Sequence, residues 1–126
     1  MKKIVITGPE SSGKTTLFEQ LIKSFGVVGV NEYARQYIGN LNRDYNYQDI
    51  LEIAKVHFIH QQKILRTNQK FLIGDTDLLN LEIWCEFKYG KCHSFISDNL
   101  RNHLPDMYLL CYPDIPWEYD PQRENP

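Results

Sequence analysis

Short apolar runs alternate along this chain with longer segments in which apolar residues recur every three or four positions. Runs of four or five apolar residues predict buried strands, and a period near 3.6 predicts amphipathic helices. Strands that alternate with helices pair in parallel through right-handed crossovers. The pattern therefore predicts an α/β fold, a three-layer sandwich with helices on both faces of a parallel sheet. The predicted strands are residues 3–7, 27–30, 71–74 and 107–111, and the predicted helices are residues 14–24, 33–38, a long segment after Asn46, 78–89, and a short segment that ends before Pro105.

Polar and small residues set the predicted ends of these helices. Gly26 is expected to end the first helix. Asn46 is expected to cap the long helix, with Asp49 in its first turn, and Ser94 to cap the short one. The apolar period predicts that the first helix turns Leu17, Leu21 and Ile22 inward, and that the long helix turns inward a stripe of Ile50, Ala54, Phe58, Gln61 and Leu65, flanked by Ile53 and Ile64.

Composition narrows the classes of function. A length of 126 residues suits one domain over residues 1–126, and 42% hydrophobic with 24% charged residues is ordinary for a globular chain. A net charge of −2 argues against a basic surface for nucleic acid. No apolar stretch is long enough for a signal peptide or a membrane span, so we expect a cytoplasmic protein with reduced cysteines and no membrane partner.

Two pairs of residues, one of two histidines and one of a cysteine and a histidine, have side chains of the kind that bind metal ions. His57 and His60 lie one helical turn apart, and Cys92 precedes His93. Structural zinc requires four ligands at characteristic spacings, which these pairs do not supply. We therefore expect the two histidines of the long helix to lie on its surface and at its edge.

The segment between the first strand and the first helix matches the phosphate-binding pattern G-x-x-x-x-G-K-[ST]. Two glycines let the backbone turn tightly, so that its N–H groups and the helix N-terminus face a phosphate. A lysine follows for the β- and γ-phosphates, and a hydroxyl for magnesium. The pattern predicts binding of ATP or GTP with Mg²⁺ through Gly8, Glu10, Ser11, Ser12, Gly13, Lys14, Thr15 and Thr16.

Acidic residues follow the other predicted strands, and ligands of open parallel sheets bind beyond the carboxyl ends of the strands. Asp75 resembles a Walker B carboxylate that holds magnesium together with Thr15. Asp77 either caps the next helix or holds the hydroxyls of a sugar. The strand ends are therefore expected to meet in one cleft.

Glu32 follows the second predicted strand and suits a group that orients an attacking hydroxyl and accepts its proton. The alternative is a glutamate that caps the turn at residues 33–37. Arg35 either contacts substrate or phosphate, or lies solvated at the surface. Glu10 is expected to point away from the phosphates or to contact magnesium through water, because an acid beside phosphate costs electrostatic energy.

Together these segments resemble the ribosylnicotinamide kinase domain of bacterial NadR-type proteins. The similarity covers nearly the whole chain and keeps the family order of the motifs. The matching segments are the phosphate-binding loop with its Glu10-Ser11-Ser12 filling, Glu32-Tyr33-Ala34-Arg35, Asp75-Thr76-Asp77, Pro116-Trp117, and Asp120 with Arg123.

The resemblance implies an adenylate-kinase-like fold that phosphorylates the 5′-hydroxyl of nicotinamide riboside with ATP. It implies that Glu32, Asp75 and Asp77 surround the ribose and magnesium. It further implies that Trp117 borders the site with Tyr33 and Arg35, and that Arg123 begins the lid over the phosphates. In the usual order of this group, the first strand is central between the third and fourth, and the second lies at the edge beyond the third.

Two features depart from that family pattern. Asn31 stands where family members carry a tryptophan that can stack on the nicotinamide ring. The chain ends at Pro126, where the lid should begin, so we expect a truncated domain that lacks the lid and the last strand.

A regulatory ATP- or GTP-binding protein is the alternative to a nucleoside kinase, and an inactive truncated form is a third possibility. A kinase needs an aromatic-lined acceptor pocket beside Glu32. The aromatic residues available for it, each of which can instead belong to the core, are Tyr33, Tyr37, Trp84 and Trp117.

Overall fold

Within the part of the chain that the structure describes, three parallel strands form the sheet, β1 (Lys2–Thr7), β2 (Phe71–Asp75) and β3 (Met107–Leu110), in the order β2-β1-β3. Ile4 of the central strand lies opposite Ile73 on one side and Met107 on the other. The prediction that the first strand lies between the third and fourth predicted strands is therefore confirmed. The structure is a computed structural model that describes residues 1–8 and 13–111.

Five described helices connect and cover these strands, close to their predicted bounds. Gly26 and Gly90 follow two of them with φ of 65° and 69°, a left-handed conformation that ends a helix and suits glycine. No helix among residues 1–8 and 13–111 has the length and apolar character needed to cross a membrane. The helices are α1 (Lys14–Phe25), α2 (Tyr33–Gly39), α3 (Tyr47–Leu65), α4 (Leu78–Tyr89) and α5 (Ser94–Asn102).

The second predicted strand, residues 27–30, is wrong in extent. Only Val30 pairs with the sheet, through a parallel bridge to Gly74 at the predicted edge beyond β2. Two residues earlier, the side-chain amide of Gln69 donates to the carbonyl of Val28 at 3.1 Å, and its oxygen accepts from the Val28 N–H at 2.8 Å. A side chain thus satisfies the backbone groups that a longer strand would pair with β2.

Apolar side chains bury both faces of the sheet. On one face Ile6, Ile73 and Phe18 of α1 pack together, each at most 1% exposed. Side chains alternate along a strand, so Val5 and Leu72 point to the opposite face, where they are equally buried. A second core joins α3, α4 and α5. It consists of Ile50, Ile53, Ala54, Leu78, Leu81, Cys85, Ile96 and Leu100.

The inward face of α3 is rotated from the predicted stripe. Leu65 is 37% exposed, whereas His57, expected at the surface or the edge, is only 4% exposed. His57 follows Ile50 by seven residues and Ile53 by four, which is the spacing of a continuous helical face. The prediction for His57 was wrong because it assigned a polar side chain to the surface or edge, although the helical spacing of His57 is that of a core position.

The caps of the helices are partly as predicted. The Asn46 side chain accepts from the Asp49 N–H, and Asp49 accepts from the Asn46 N–H, which completes a capping box at the start of α3. Ser94 is not the cap of α5. His93 occupies the cap position without a side-chain cap bond, and Ser94 is the first helical residue.

Candidate functional site

Gly8 fixes the start of the phosphate-binding loop against the end of β3. Its φ is +146°, and a Cβ there would lie 2.6 Å from the carbonyl oxygen of Cys111. The Cys111 N–H donates to the carbonyl of Thr7 at 2.9 Å, which holds the two segments together. No other residue type fits this close backbone approach without displacement.

Gly13 ends the loop and occupies the cap position of α1, with φ of 80°. Glycine has no side chain to accept from the first N–H groups of the helix, and no side-chain cap bond is formed there. These N–H groups, with the positive end of the helix dipole, suit an anion. Glu10, Ser11 and Ser12 lie outside the described residues, so their predicted contacts with phosphate stay predictions.

Lys14 joins two carboxylates from different parts of the chain. Its Nζ donates to Oε2 of Glu32 at 2.8 Å and to Oδ1 of Asp75 at 3.1 Å. The lysine side chain is 10% exposed. Burial lowers the pKa of Lys14, but its two ion pairs outweigh burial and leave the pKa above the ordinary lysine value. Lys14 is therefore a fixed positive charge at the carboxyl edge of the sheet.

Thr15 and Asp75 present oxygen atoms to each other beside this lysine. The Thr15 hydroxyl donates to Oδ2 of Asp75 at 3.1 Å. Asp75 is the last residue of β2, and its side chain is 4% exposed. Hydroxyl and carboxylate oxygens are the donors that Mg²⁺ prefers, and Mg²⁺ usually keeps several waters besides one or two protein ligands. The donor set therefore suits Mg²⁺.

Asp77 caps α4, as one of its two predicted roles required. Its Oδ1 accepts from the Leu79 N–H at 2.9 Å, and its Oδ2 accepts from the Tyr108 hydroxyl at 3.0 Å. Burial, the largest influence, raises the pKa of Asp77 above its usual range. A sugar hydroxyl would have to share a carboxylate that already has two donors.

Thr76 and Tyr108 are features of this site that the sequence did not reveal. Thr76 has φ of 68° although it is not glycine, and its N–H donates to the Ile6 carbonyl at 2.8 Å. A left-handed conformation at such a residue stores strain, commonly at functional sites. Thr76 thereby turns the chain between Asp75 and Asp77. The Tyr108 contact depends on the strand order and has no local sequence signal.

Glu32 occupies the cap position of α2 but forms no side-chain cap bond. Its carboxylate lies on Lys14 instead, which differs from the alternative of a glutamate that caps the following turn. Tyr33 is half-buried, with its ring centroid 6.0 Å from that of Tyr37 and 6.2 Å from that of His60. Arg35 is exposed on α2, and Thr16 is exposed on α1.

The other predicted aromatic residues of the acceptor pocket divide into two groups. Trp84 and Tyr37 pack partly buried against the helical core. The Trp84 indole donates to the Tyr45 hydroxyl at 2.9 Å, and the Tyr37 hydroxyl donates to Asp49 at 2.8 Å. Packing against the helical core and these hydrogen bonds therefore explain the positions of Trp84 and Tyr37 without a role in the acceptor pocket. Trp117 and Arg123 lie outside the described residues.

The chain is similar in sequence to a known protein family and to two curated proteins. A family model described as an AAA domain matches residues 3–126. The chain is 28% identical over 127 residues to the trifunctional NAD biosynthesis/regulator protein NadR of Salmonella typhimurium, and equally to that of Escherichia coli. The alignments cover 98% of this chain and 31% of each relative, so the chain spans about a third of the relatives' length.

Two solved structures have the same fold. A crystal structure of NadR in complex with NR gives a TM-score of 0.69 at 21% identity, covering 86% of this chain and 33% of that one. A thymidylate kinase from Ehrlichia chaffeensis gives 0.58 at 21% identity, covering 88% and 71%. At this identity the likeness concerns architecture, and both neighbours share a P-loop kinase fold with this chain.

Proposed function

Because the chain belongs to this AAA-domain family of P-loop proteins, we propose that it is a nucleoside kinase that transfers the γ-phosphate of ATP to nicotinamide riboside. The acceptor atom is the 5′-hydroxyl, and the product is nicotinamide mononucleotide. The relatives named for NAD biosynthesis and the neighbour crystallised with NR support this choice of acceptor.

One observation carries the proposal. Four side chains from three separate segments meet within hydrogen-bond distance at the carboxyl edge of the sheet, namely Lys14 and Thr15, Glu32, and Asp75. Phosphoryl transfer is catalysed mainly by positioning and charge neutralisation, and this cluster contains the groups for both. A cation, two oxygen donors for magnesium and a second carboxylate are more than nucleotide binding alone requires.

The roles follow from the chemistry of each group. Lys14 and the loop amides hold the β- and γ-phosphates, and Thr15 and Asp75 supply ligands for Mg²⁺, which when bound neutralises charge on the phosphate oxygens. Glu32 orients the acceptor hydroxyl and accepts its proton. The hydroxyl oxygen then bonds to the γ-phosphorus as the bond from that phosphorus to the β–γ bridging oxygen breaks. ADP leaves, and the proton passes from Glu32 to solvent.

Other predicted residues complete the proposed acceptor site. We propose that Tyr33 and Arg35, which follow Glu32 on α2, contact the acceptor. Asp77 binds a ribose hydroxyl by sharing the oxygen that now accepts from Tyr108. Trp117 borders the base, and Arg123 contacts the phosphates.

The test is steady-state phosphorylation of nicotinamide riboside by wild type and Glu32→Gln. The amide accepts a hydrogen bond but not a proton, so we expect turnover to fall by ~10²–10⁴-fold, the usual range for a positioned general base. Glu19→Gln is the matched control, because Glu19 is exposed on α1 and carries the same charge. Thymidine and other nucleosides, offered in parallel, test the choice of acceptor. Unchanged turnover in Glu32→Gln would remove Glu32 from the mechanism.

A further inference from the structure

Glu32 and the phosphates of a nucleotide require the same ammonium group. The Lys14 ammonium has three N–H donors, of which Glu32 and Asp75 take two. Contact with both the β- and the γ-phosphate requires two donors. One N–H remains, so one of the two carboxylates must release the lysine when a triphosphate binds.

The surroundings of the two carboxylates decide which one releases. The Asp75 side chain is 4% exposed, whereas that of Glu32 is 26% exposed. Breaking the ion pair of a buried carboxylate costs far more free energy than breaking that of a carboxylate that water can solvate again. Asp75 is also held by the Thr15 hydroxyl, while Glu32 has no cap bond to α2. Glu32, which water can solvate again, therefore releases Lys14 at the lower cost, whereas Asp75 stays paired either with the lysine or with the Mg²⁺ that accompanies the nucleotide.

We infer that the Lys14–Glu32 ion pair is a latch, which a triphosphate opens by taking Lys14 and which thereby frees Glu32 for the acceptor hydroxyl. This inference rests on the proposed function, because it assigns an order to the substrates of that same site. With Lys14 attached, one oxygen of Glu32 is occupied and the carboxylate is turned toward the lysine. The nucleotide therefore binds first, and the nucleoside binds more tightly afterwards.

The first experiment measures affinity for a non-hydrolysable ATP analogue with magnesium. Glu32→Gln removes the ion pair, and we expect about three- to thirtyfold tighter binding than in wild type, the range for a charge-assisted bond in a partly exposed setting. Glu32→Asp keeps the charge but is one methylene shorter, so it should also tighten binding. Glu19→Gln should match wild type.

The variants separate a specific contact from simple charge repulsion. If Glu32→Asp binds the analogue as wild type does, while Glu32→Gln binds tightly, the negative charge alone weakens binding and the latch is refuted. If Glu32→Gln also binds as wild type does, there is no competition for Lys14, and the latch is refuted again. Tighter binding in both variants supports it.

A second experiment measures whether the nucleotide analogue and the nucleoside bind cooperatively. Affinity of wild type for nicotinamide riboside is measured with and without the saturating analogue, and we expect at least about fivefold tighter binding with it, the lower end of measured couplings between sites. The same comparison in Glu32→Gln should show little coupling. Equal affinity of wild type under both conditions would overturn the latch.

Failure of the latch is distinguishable from failure of the proposed function. If wild type transfers phosphate to none of the nucleosides offered, the kinase proposal is wrong. The affinities of the Glu32 variants for the nucleotide analogue still decide whether Glu32 competes for Lys14. If phosphate is transferred and those affinities do not change, the kinase stands without a latch.

Discussion

At the scale of single residues, substitution of Lys14 is expected to weaken nucleotide binding while the protein still folds. Lys14→Ala removes two charge-assisted contacts to a nucleotide, each worth about 1.5–3 kcal/mol, so we expect the affinity for magnesium ATP to fall by ~10²–10⁴-fold. The fold should persist at lower stability, because Asp75 loses its cation but keeps the Thr15 hydroxyl. Titration with a fluorescent nucleotide and a circular-dichroism melt measure the two effects. Lys23→Ala, an exposed lysine of the same helix, is the control, and equal affinity of Lys14→Ala and wild type would refute phosphate binding by this loop.

His57 makes the stability of the protein depend on pH. Burial, together with the charge of Lys3, lowers its pKa to about 4, and Nε2 has no hydrogen-bond partner among the described residues. The unfolded chain binds a proton near pH 6.5, well before the folded protein does. This group therefore lowers stability as pH falls from about 6.5 to 4, by up to roughly 1.4 kcal/mol per pH unit.

The His57 prediction is tested by urea unfolding between pH 4 and 7. His57→Gln should show a smaller decrease in unfolding free energy toward pH 4 than wild type. His60→Gln, an exposed histidine of the same helix whose charge is the smallest of the three influences on the pKa of His57, should stay close to the slope of wild type. Equal slopes in wild type and His57→Gln would show that other groups dominate this range.

How far the site could be predicted also differs from residue to residue. Lys14 and Thr15 occupy fixed positions of a short motif, so sequence spacing located them. Asp75 and Glu32 follow apolar runs, and parallel strands bring their carboxyl ends to one edge. Thr76 and Tyr108 carry no such signal, because a left-handed threonine and a cross-strand hydroxyl arise only from tertiary contacts.

At the scale of elements, the start of α3 tests how much one cap contributes. Asn46→Ala removes the bond to the Asp49 N–H, and we expect a loss of about 1 kcal/mol in unfolding free energy. Asp49 still accepts from Arg43 at 2.7 and 2.9 Å, which keeps this turn in place. Chemical denaturation measures the change. Asn42→Ala, an exposed asparagine of the same loop, should leave stability near that of wild type, and a cost equal to that of Asn46→Ala would argue against a specific cap.

Helices were predicted more accurately than the edge strand, for a physical reason. A helix satisfies its backbone within its own segment, so period and caps define it locally. A strand needs a partner, and at Val28 that partner is the Gln69 side chain rather than β2. No pattern within residues 27–30 contains that information.

At the scale of the whole molecule, the nucleotide site joins segments that are distant in the chain. β1 and α1 supply the loop and Lys14, β2 supplies Asp75, and the edge segment before α2 supplies Glu32. The strand order could be predicted from the crossover rule and the family resemblance. The ion pairs between these segments could not, because they depend on tertiary contacts. A ligand that binds across them stabilises the folded state as a whole, because the unfolded chain has no such site.

Nucleotide binding is therefore expected to raise the melting temperature of the protein. Magnesium ATP analogue at a hundred times its dissociation constant should stabilise the protein by about 2.7 kcal/mol, a shift of the melting temperature on the order of 10 °C for a domain of this size. Removal of the metal with EDTA should reduce the shift, because Thr15 and Asp75 then no longer contribute through Mg²⁺. Lys14→Ala should lose most of the shift at the same ligand concentration, and Lys23→Ala should retain it. Differential scanning fluorimetry on the three proteins, with and without EDTA, makes the comparison. A shift that persists undiminished in Lys14→Ala would mean that the nucleotide binds elsewhere, and the cluster at the carboxyl edge of the sheet would then have no nucleotide to act on.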